Sequence, residues 1–256
     1  MPLEDPLIRK PAAVVFAHPD DETIGAGGLI PQLRDPVFIH VTDGAPGVEN
    51  DAARLEYARV RRSELLAALE LAGISADRLR QLGLIDQQAS LNLAGLARRI
   101  AGLLRELGCG VVLTHAYEGG HPDHDATAFA VQAACRLVAE PPEVWEFTSY
   151  HARAGDLIAG EFLNGATAPR AAAFALSGAD RARKEAMFAC YPSQRDMLRK
   201  FPIGVERFRP APRYDFTLPP HSGQLFYEQF EWGMTGERFR ALARRALEEL
   251  GIGGAI

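Results

Sequence analysis

Cysteine is scarce: only Cys109, Cys135 and Cys190 occur in 256 residues, widely spaced and without a C-x-x-C pair. That pattern argues against a disulfide framework or a thiolate metal site. Cys109 and Cys135 fall in apolar contexts, where a thiol packs as a small hydrophobe. Long apolar runs are also missing, and no stretch approaches the roughly 20 residues needed to cross a bilayer. The opening segment M-P-L-E-D-P-L-I-R-K-P has neither the basic start nor the apolar middle of a secretory signal, so a reducing, cytoplasmic setting is expected. No excess of positive charge exists: the net charge of -5 offers no general attraction to phosphate backbones or anionic membranes, and nucleic acid is not an expected partner. No internal repeat is found. Gly25, Gly27 and Gly28 do not make a G-x-G-x-x-G loop, because Ile30 stands where the third glycine belongs. The acids before them would repel a pyrophosphate, which argues against a nicotinamide dehydrogenase.

What is present is ordinary for a soluble globular chain, with 47% hydrophobic and 24% charged residues, enough to bury a core. Strand patterns at Val14–Phe16, Val37–Val41, Leu79–Leu84, Val111–Leu113 and Val144–Tyr150 alternate with helical patterns. The helices are expected at Thr23–Leu33, Ala52–Leu71, Asn92–Leu107 and from the second histidine motif to about Ala139. Such alternation implies a mostly parallel sheet covered on both faces. Residues 1–11 are expected to be irregular and 42–50 a loop. Beyond Ala152 the rhythm breaks, with a strand expected at Arg170–Leu176 and helices at Asp180–Cys190, Ser193–Lys200 and Thr235–Leu250; 202–230 shows no clear period. We expect one domain over 1–256, with a core at 12–150 and additions at 151–256.

The chain is organised around A-A-V-V-F-A-H-P-D-D-E-T-I-G-A-G-G, residues 12–28, where a buried strand stops at a histidine followed by three carboxylates. Acids in a first helical turn favour the helix dipole, but that does not explain His18 at the mouth of a strand-to-helix turn. His18 and Asp21 are three apart, a spacing that shares a helix face, so an imidazole and a carboxylate can converge on one cation. The device recurs at T-H-A-Y-E-G-G-H-P-D-H-D-A, residues 114–126, again directly after an apolar strand. With the common strand order 3-2-1-4, the ends of the first and fourth strands open on one crevice. His18, Asp21 and His124 then meet there. Two histidines and a carboxylate form a known catalytic zinc set with an open position. His40, inside a strand, reads as a packed core residue.

The pairing of A-H-P-D-D-E with H-P-D-H about a hundred residues later resembles the LmbE-like, or PIG-L, family of zinc-dependent N-acetylglucosaminyl deacetylases. V-T-D-G at 41–44, R-R-S-E-L-L-A-A-L at 61–69, L-G-L-I-D at 82–86 and Y-P-S-Q at 191–194 extend the resemblance over about residues 12–195. It implies an α/β, Rossmann-like three-layer sandwich with a mostly parallel sheet and C-terminal additions roofing the active-site crevice. It implies one Zn2+ per chain on His18, Asp21 and His124, although such a donor set does not select one divalent metal uniquely. Asp20 matches the general base, His121 the general acid, and Asp123 its supporting carboxylate. His121 also has a plain reading as a helix cap, but caps are usually Ser, Thr, Asp or Asn; a charge on its ring at a helix start is unfavourable, and Asp123 can offset it by pairing with the ring. Arg61, three residues before Glu64, matches an arginine of the R-x-x-E motif and is a candidate substrate contact beside the plain alternative of a surface ion pair. Asp86 matches an aspartate that holds sugar hydroxyls. Tyr117, Glu118, His115 and His151 have only their position near strand ends to recommend them.

The expected activity is hydrolysis of the N-acetyl group of an N-acetylglucosamine-type amino sugar or glycoconjugate. The alternatives are a zinc amidohydrolase acting on a non-sugar N-acyl compound and a non-catalytic sugar-binding module. The expected partner is a small molecule, and homo-oligomerisation is left open. Phe226, Tyr227, Phe230 and Trp232 form an aromatic cluster that reads equally as core, roof or interface.

Overall fold

The computed structural model describes residues 6–48, 50–163 and 169–256. A short helix α1 (Pro6–Arg9) leads into β1 (Pro11–Phe16), α2 (Asp21–Ala26), β2 (Arg34–Pro46), α3 (Asp51–Leu71), β3 (Leu79–Asp86), α4 (Leu93–Leu107), β4 (Val111–His115), α5 (Pro122–Leu137) and β5 (Glu143–Phe147). The later part adds a hairpin of β6 (Tyr150–Arg153) and β7 (Asp156–Ala159), then β8 (Ala172–Ala175), α6 (Gly178–Ala189), α7 (Arg195–Leu198), β9 (Val205–Pro210) and α8 (Gly236–Leu250). Seven strands form one sheet in the order β3-β2-β1-β4-β5-β9-β8. The first five are parallel, as the alternating pattern predicts, while β9 is antiparallel to β5 and β8 in turn antiparallel to β9.

The sheet is buried on both faces, and β1 shows why its sequence carries no polar alternation. Ala13 and Val15 pack with Ile100, Phe129 and Phe239 on one side, while Val14 and Phe16 pack with Leu65, Phe147 and Tyr191 on the other. The flanking helices begin and end where the side chains dictate. Asn50 and Asn92 cap α3 and α4 by accepting Ala53 N–H and Gly95 N–H, satisfying donors that a helix start leaves orphaned. Gly108 closes α4 in the left-handed conformation at φ 55°, which a side chain would disfavour. Gly25 is needed for close approach, because a Cβ there would fall 2.0 Å from the Phe147 ring.

Several boundaries differ from the sequence reading. The helix expected at Thr23–Leu33 is the six-residue α2 followed by a separate 3-10 turn at Ile30–Gln32. The second strand runs on to Pro46 through the expected loop; position 49 of that loop and residues 1–5 of the expected irregular start lie outside the described residues. The fifth strand breaks after Phe147, and Tyr150 begins the hairpin instead. β9 lies in the stretch that shows no clear period, because V-E-R-F-R-P buries Glu206 and Arg209 as well as Phe208. Among the described residues no helix is long and apolar enough to cross a membrane.

Glu206 explains how β9 is tied to the N-terminal core. Its carboxylate accepts Gly28 N–H at 2.7 Å and Leu29 N–H at 3.1 Å, and pairs with Lys184 Nζ at 2.7 Å. The ion pair is buried, with side-chain exposures of 0% and 1%. Losing one partner of such a pair strands the other charge, so Glu206→Ala is expected to destabilise the chain by about 3–5 kcal/mol. Urea denaturation measures it, and a change below about 1 kcal/mol would show that the pair does not carry this junction.

Candidate functional site

The site begins where β1 ends. Asp20 sits at φ 129°, ψ -28°, a conformation rare for a residue with a side chain, and its surroundings hold it there. Its N–H donates to Glu22 Oε2 at 3.0 Å, and its carbonyl accepts Thr23 N–H and Ile24 N–H. The guanidinium of Arg61 donates to the Pro19 carbonyl and to Asp20 Oδ2, the latter at 3.2 Å. The three consecutive acids consequently point three ways. Asp20 turns to Arg61, Asp21 to the histidines, and Glu22 to His40 Nε2 at 3.1 Å and to the Tyr191 hydroxyl. His40 is thus a buried structural partner, as its place inside a strand suggests.

Asp21, His18 and His124 do converge. His18 Nδ1 lies 3.2 Å from Asp21 Oδ2 and 3.2 Å from His124 Nε2, which lies 3.2 Å from Asp21 Oδ1. Donor atoms on a tetrahedral divalent ion at ~2.0–2.1 Å stand ~3.4 Å apart, which these separations match pairwise through the two oxygens of Asp21; among the described residues the sets whose donor atoms all lie near one another include His18, His121 and His124, and Asp21, His115 and His124. The outer ring atoms are held as ligand imidazoles need. His18 Nε2 faces Asp86 Oδ1 at 3.0 Å, off the axis of a good hydrogen bond, and Asp123 Oδ2 at 3.3 Å; His124 Nδ1 faces Ser149 Oγ at 3.4 Å. Burial disfavours charge on His18, yet Asp86, Asp123 and Asp21 outweigh it and hold the ring's pKa well above its ordinary value. A cluster of buried carboxylates thus draws positive charge to this point, which a metal ion would also provide.

His121 is brought into the same cavity, but with a different companion from the one expected. It is the N-cap of α5, and its Nδ1 accepts the backbone N–H of Asp123 at 3.1 Å. The ring therefore caps the helix as well as lining the cavity. Asp123 does not pair with that ring: its carboxylate accepts Gln87 N–H at 2.6 Å and Ala89 N–H at 3.0 Å and faces His18. The reason is geometric, because the cap geometry gives His121 the main-chain N–H of Asp123 while the side chain turns toward the end of β3. Asp86 is the carboxylate near His121, at 3.8 Å from Nε2. Burial, then the neighbouring His18, hold His121 well below its ordinary pKa. A neutral ring whose Nδ1 accepts must carry its proton on Nε2.

Arg61 is no surface ion pair. It is buried and committed to Asp20 and Pro19 while one side still lines the cavity. Asp86 also lines the cavity, yet its Oδ1 is directed at His18 rather than at open space. Asp20 is buried, and burial pushes its carboxyl up to about 8 while Arg61 opposes the shift.

Some site residues were not singled out from sequence. His115, set aside for having only its position, stacks on His124 with ring centroids 4.1 Å apart, and its Nε2 accepts Ala17 N–H at 3.1 Å; its signal was the strand running directly into a histidine, as β1 runs toward His18. His151 instead lines a different cavity beside the β6–β7 hairpin. The cavity that holds the site residues, about 230 Å³, is walled by Tyr150, Gln194, Met197, Phe201 and Trp232 from the later part of the chain. Gln194 closes the Y-P-S-Q stretch and Trp232 belongs to the aromatic cluster read from sequence, whereas no motif marks Tyr150, Met197 or Phe201, since apolar wall residues look like core.

The PIG-L family model, described as GlcNAc-PI de-N-acetylase, matches residues 13–135. A Bacillus cereus protein named probable N-acetyl-alpha-D-glucosaminyl L-malate deacetylase 2 is 34% identical over 137 residues, 50% of this chain and 61% of the relative. A Rhodococcus jostii protein named 1D-myo-inositol 2-acetamido-2-deoxy-alpha-D-glucopyranoside deacetylase is 32% identical over 154 residues, 47% of this chain and 53% of the relative. The match therefore spans between about half and three-fifths of these curated relatives. The crystal structure of a deacetylase of the teicoplanin biosynthesis pathway shares the fold, with a TM-score of 0.61 at 20% identity over 80% of this chain and 99% of that one.

The capping role of His121 separates its two contributions. His121→Ala is expected to lower stability by about 1 kcal/mol, and His121→Asn to recover most of that loss. Urea midpoints test it; equal midpoints for both variants and the parent would show that the ring does not cap α5.

Proposed function

We propose that the chain, whose residues 13–135 match the PIG-L family model, is a metal-dependent N-deacetylase acting on an N-acetylglucosamine-type amino sugar or glycoconjugate. The observation that supports this most is that Asp20, His121 and the facing donor atoms of His18, Asp21 and His124 line one cavity. A binding module has no use for a base and a proton donor side by side at a cation site. In this reading His18, Asp21 and His124 hold the ion, zinc by the chemistry of the donor set. When bound, such an ion supplies Lewis acidity and makes water acidic enough, with a pKa near ~7, to act as a nucleophile at neutral pH.

The remaining steps belong to side chains. Asp20 accepts the proton of the attacking water on its carboxylate, and Arg61 keeps that carboxylate turned into the cavity and favours its charged form. His121, its orientation fixed by the helix cap, hydrogen-bonds through Nε2–H to the departing nitrogen, and the proton that Asp20 took from water passes to that nitrogen, so that acetate and the free amine leave with Asp20 charged again. Asp123 acts one step further out, holding His18 through Nε2. Asp86 lies 3.0 Å from His18 Nε2 and 3.8 Å from His121 Nε2 and lines the cavity, where it can also meet a sugar hydroxyl.

Loss of metal is the first test. After desalting, the parent is expected to retain one divalent ion per chain, His18→Ala and His124→Ala to retain little, and Asp123→Ala to bind about 10- to 100-fold more weakly. Full occupancy in both histidine variants would remove the assignment.

Proton transfer is tested by acetate release from N-acetylglucosamine derivatives. Asp20→Asn is expected to lower turnover by about a hundred- to ten-thousandfold with metal retained. The base works deprotonated, so rate is lost on the acid side as Asp20 takes a proton. Removing the opposing guanidinium in Arg61→Met raises the Asp20 pKa further, and the acidic limb should move to higher pH. A lower rate with an unmoved limb would make Arg61 a structural residue only.

A further inference from the structure

The cavity is small and its rim is aromatic. At about 230 Å³ it lies below the roughly 300–1,000 Å³ typical of sites that enclose a drug-sized ligand. A compact unit such as one amino sugar suits it, and whatever that unit is attached to must lie across the rim. Tyr150, Phe201 and Trp232 line the cavity, and Phe226 and Phe230, outside its lining, join them into a continuous run of neighbouring rings. Phe201 and Tyr150 stand 5.9 Å apart between centroids, Tyr150 and Phe226 5.5 Å, and Phe226 and Phe230 5.4 Å. Phe230 stacks on Trp232 at 4.6 Å and 14°, and Trp232 meets His121 at 4.8 Å. The arc thus ends on a ring already placed in the reacting cavity. Phe230 is 41% exposed, an aromatic side chain stacked on Trp232 of the cavity wall with part of its surface open to solvent.

Charge narrows the choice of occupant. Asp20, Asp21 and Asp86 line the cavity, and its only lysine or arginine is Arg61, which is committed to Asp20 and Pro19. A carboxylate or phosphate on the far side of the sugar therefore meets aromatic surface and neighbouring acids, with no free cationic side chain among the lining residues. Every ring of the arc except His121 also lies outside the residues matched by the family model.

Resting on the deacetylase reading, we propose that the arc from Phe226 through Phe230 to Trp232 is an aglycone subsite, and that the preferred substrate is an N-acetylated amino sugar carrying an apolar, aryl-type aglycone. The sugar occupies the cavity, and the aglycone lies against Phe230 and the edge of the Phe230–Trp232 stack. Aromatic contact there favours such a substrate over one whose aglycone is small or anionic.

The test uses the metal-loaded protein with three N-acetylglucosaminides, bearing methyl, phenyl and carboxymethyl aglycones, and compares kcat/KM for acetate release. The phenyl glycoside is expected to exceed the methyl one by roughly two- to tenfold, the range of one aromatic pair contact, mainly through a lower KM, and the carboxymethyl glycoside to be the poorest. Phe230→Ala, at an exposed position, should bring the phenyl-to-methyl ratio toward one, and Phe230→Tyr should keep it. As a second reading, in a Trp145→Phe background Trp232 is the only tryptophan, and its fluorescence should change more with the phenyl glycoside than with the methyl one. Equal kcat/KM for all three, or a phenyl preference unmoved by Phe230→Ala, overturns the subsite while leaving the deacetylase in place. No acetate from any of the three overturns the functional reading itself, and the subsite with it.

Discussion

The site depends on one buried carboxylate that does no chemistry. Glu22 accepts the N–H of Asp20, faces His40 on β2 and takes the hydroxyl hydrogens of Thr23 and Tyr191. Desolvation alone would neutralise it, yet these partners outweigh burial and keep its pKa below the usual carboxylate value. The result is a fixed charge at the start of α2, where the helix dipole welcomes it, and a turn that cannot relax without unpairing that charge. Only with the turn pinned does Asp20 stay at φ 129°. Backbone strain of this kind persists where surrounding contacts over-determine it, and here they come from both parts of the chain.

The parallel core was legible because its physics is local. Strands buried on both faces must be apolar throughout, and helices between them need caps, so Val14–Phe16, Val111–Leu113, Asn92 and Gly108 announce themselves. The convergence of His18, Asp21 and His124 followed from strand order, which the sheet has. What stayed hidden depends on partners remote in sequence. β9 carries Glu206 and Arg209, polar residues that look exposed until Lys184 and Glu146 are placed against them. Phe147 ends its strand and Tyr150 starts a hairpin because the chain there leaves the sheet to wall the cavity. No period in the sequence records that change of role.

The site residues divide along the same line. Asp20, Asp21 and His18 fall within four positions, so a motif contains them. His115 is bound to Ala17 across β1 and β4 and acts by stacking on His124, a role that spacing cannot express. Asp123 and His121 are two residues apart, and proximity in sequence suggested a ring-to-carboxylate pair. The helix cap decided otherwise, since a ring already accepting a main-chain N–H from Asp123 offers its other nitrogen to a different face.

That division assigns the parts of the molecule different physical work. The motif-bearing core gathers acids and imidazoles at the ends of β1 and β4, where burial makes each charge dependent on a neighbour. The later part supplies almost no charge to the cavity; it supplies Tyr150, Met197, Phe201 and Trp232. Apolar walls exclude water, and in a drier site the interactions among Asp20, Arg61, His18 and His121 are stronger than they would be in solvent. The same rings set the shape of the mouth. Because the polar floor and the aromatic wall come from separate stretches of chain, the wall can vary without disturbing the acids and imidazoles of the floor.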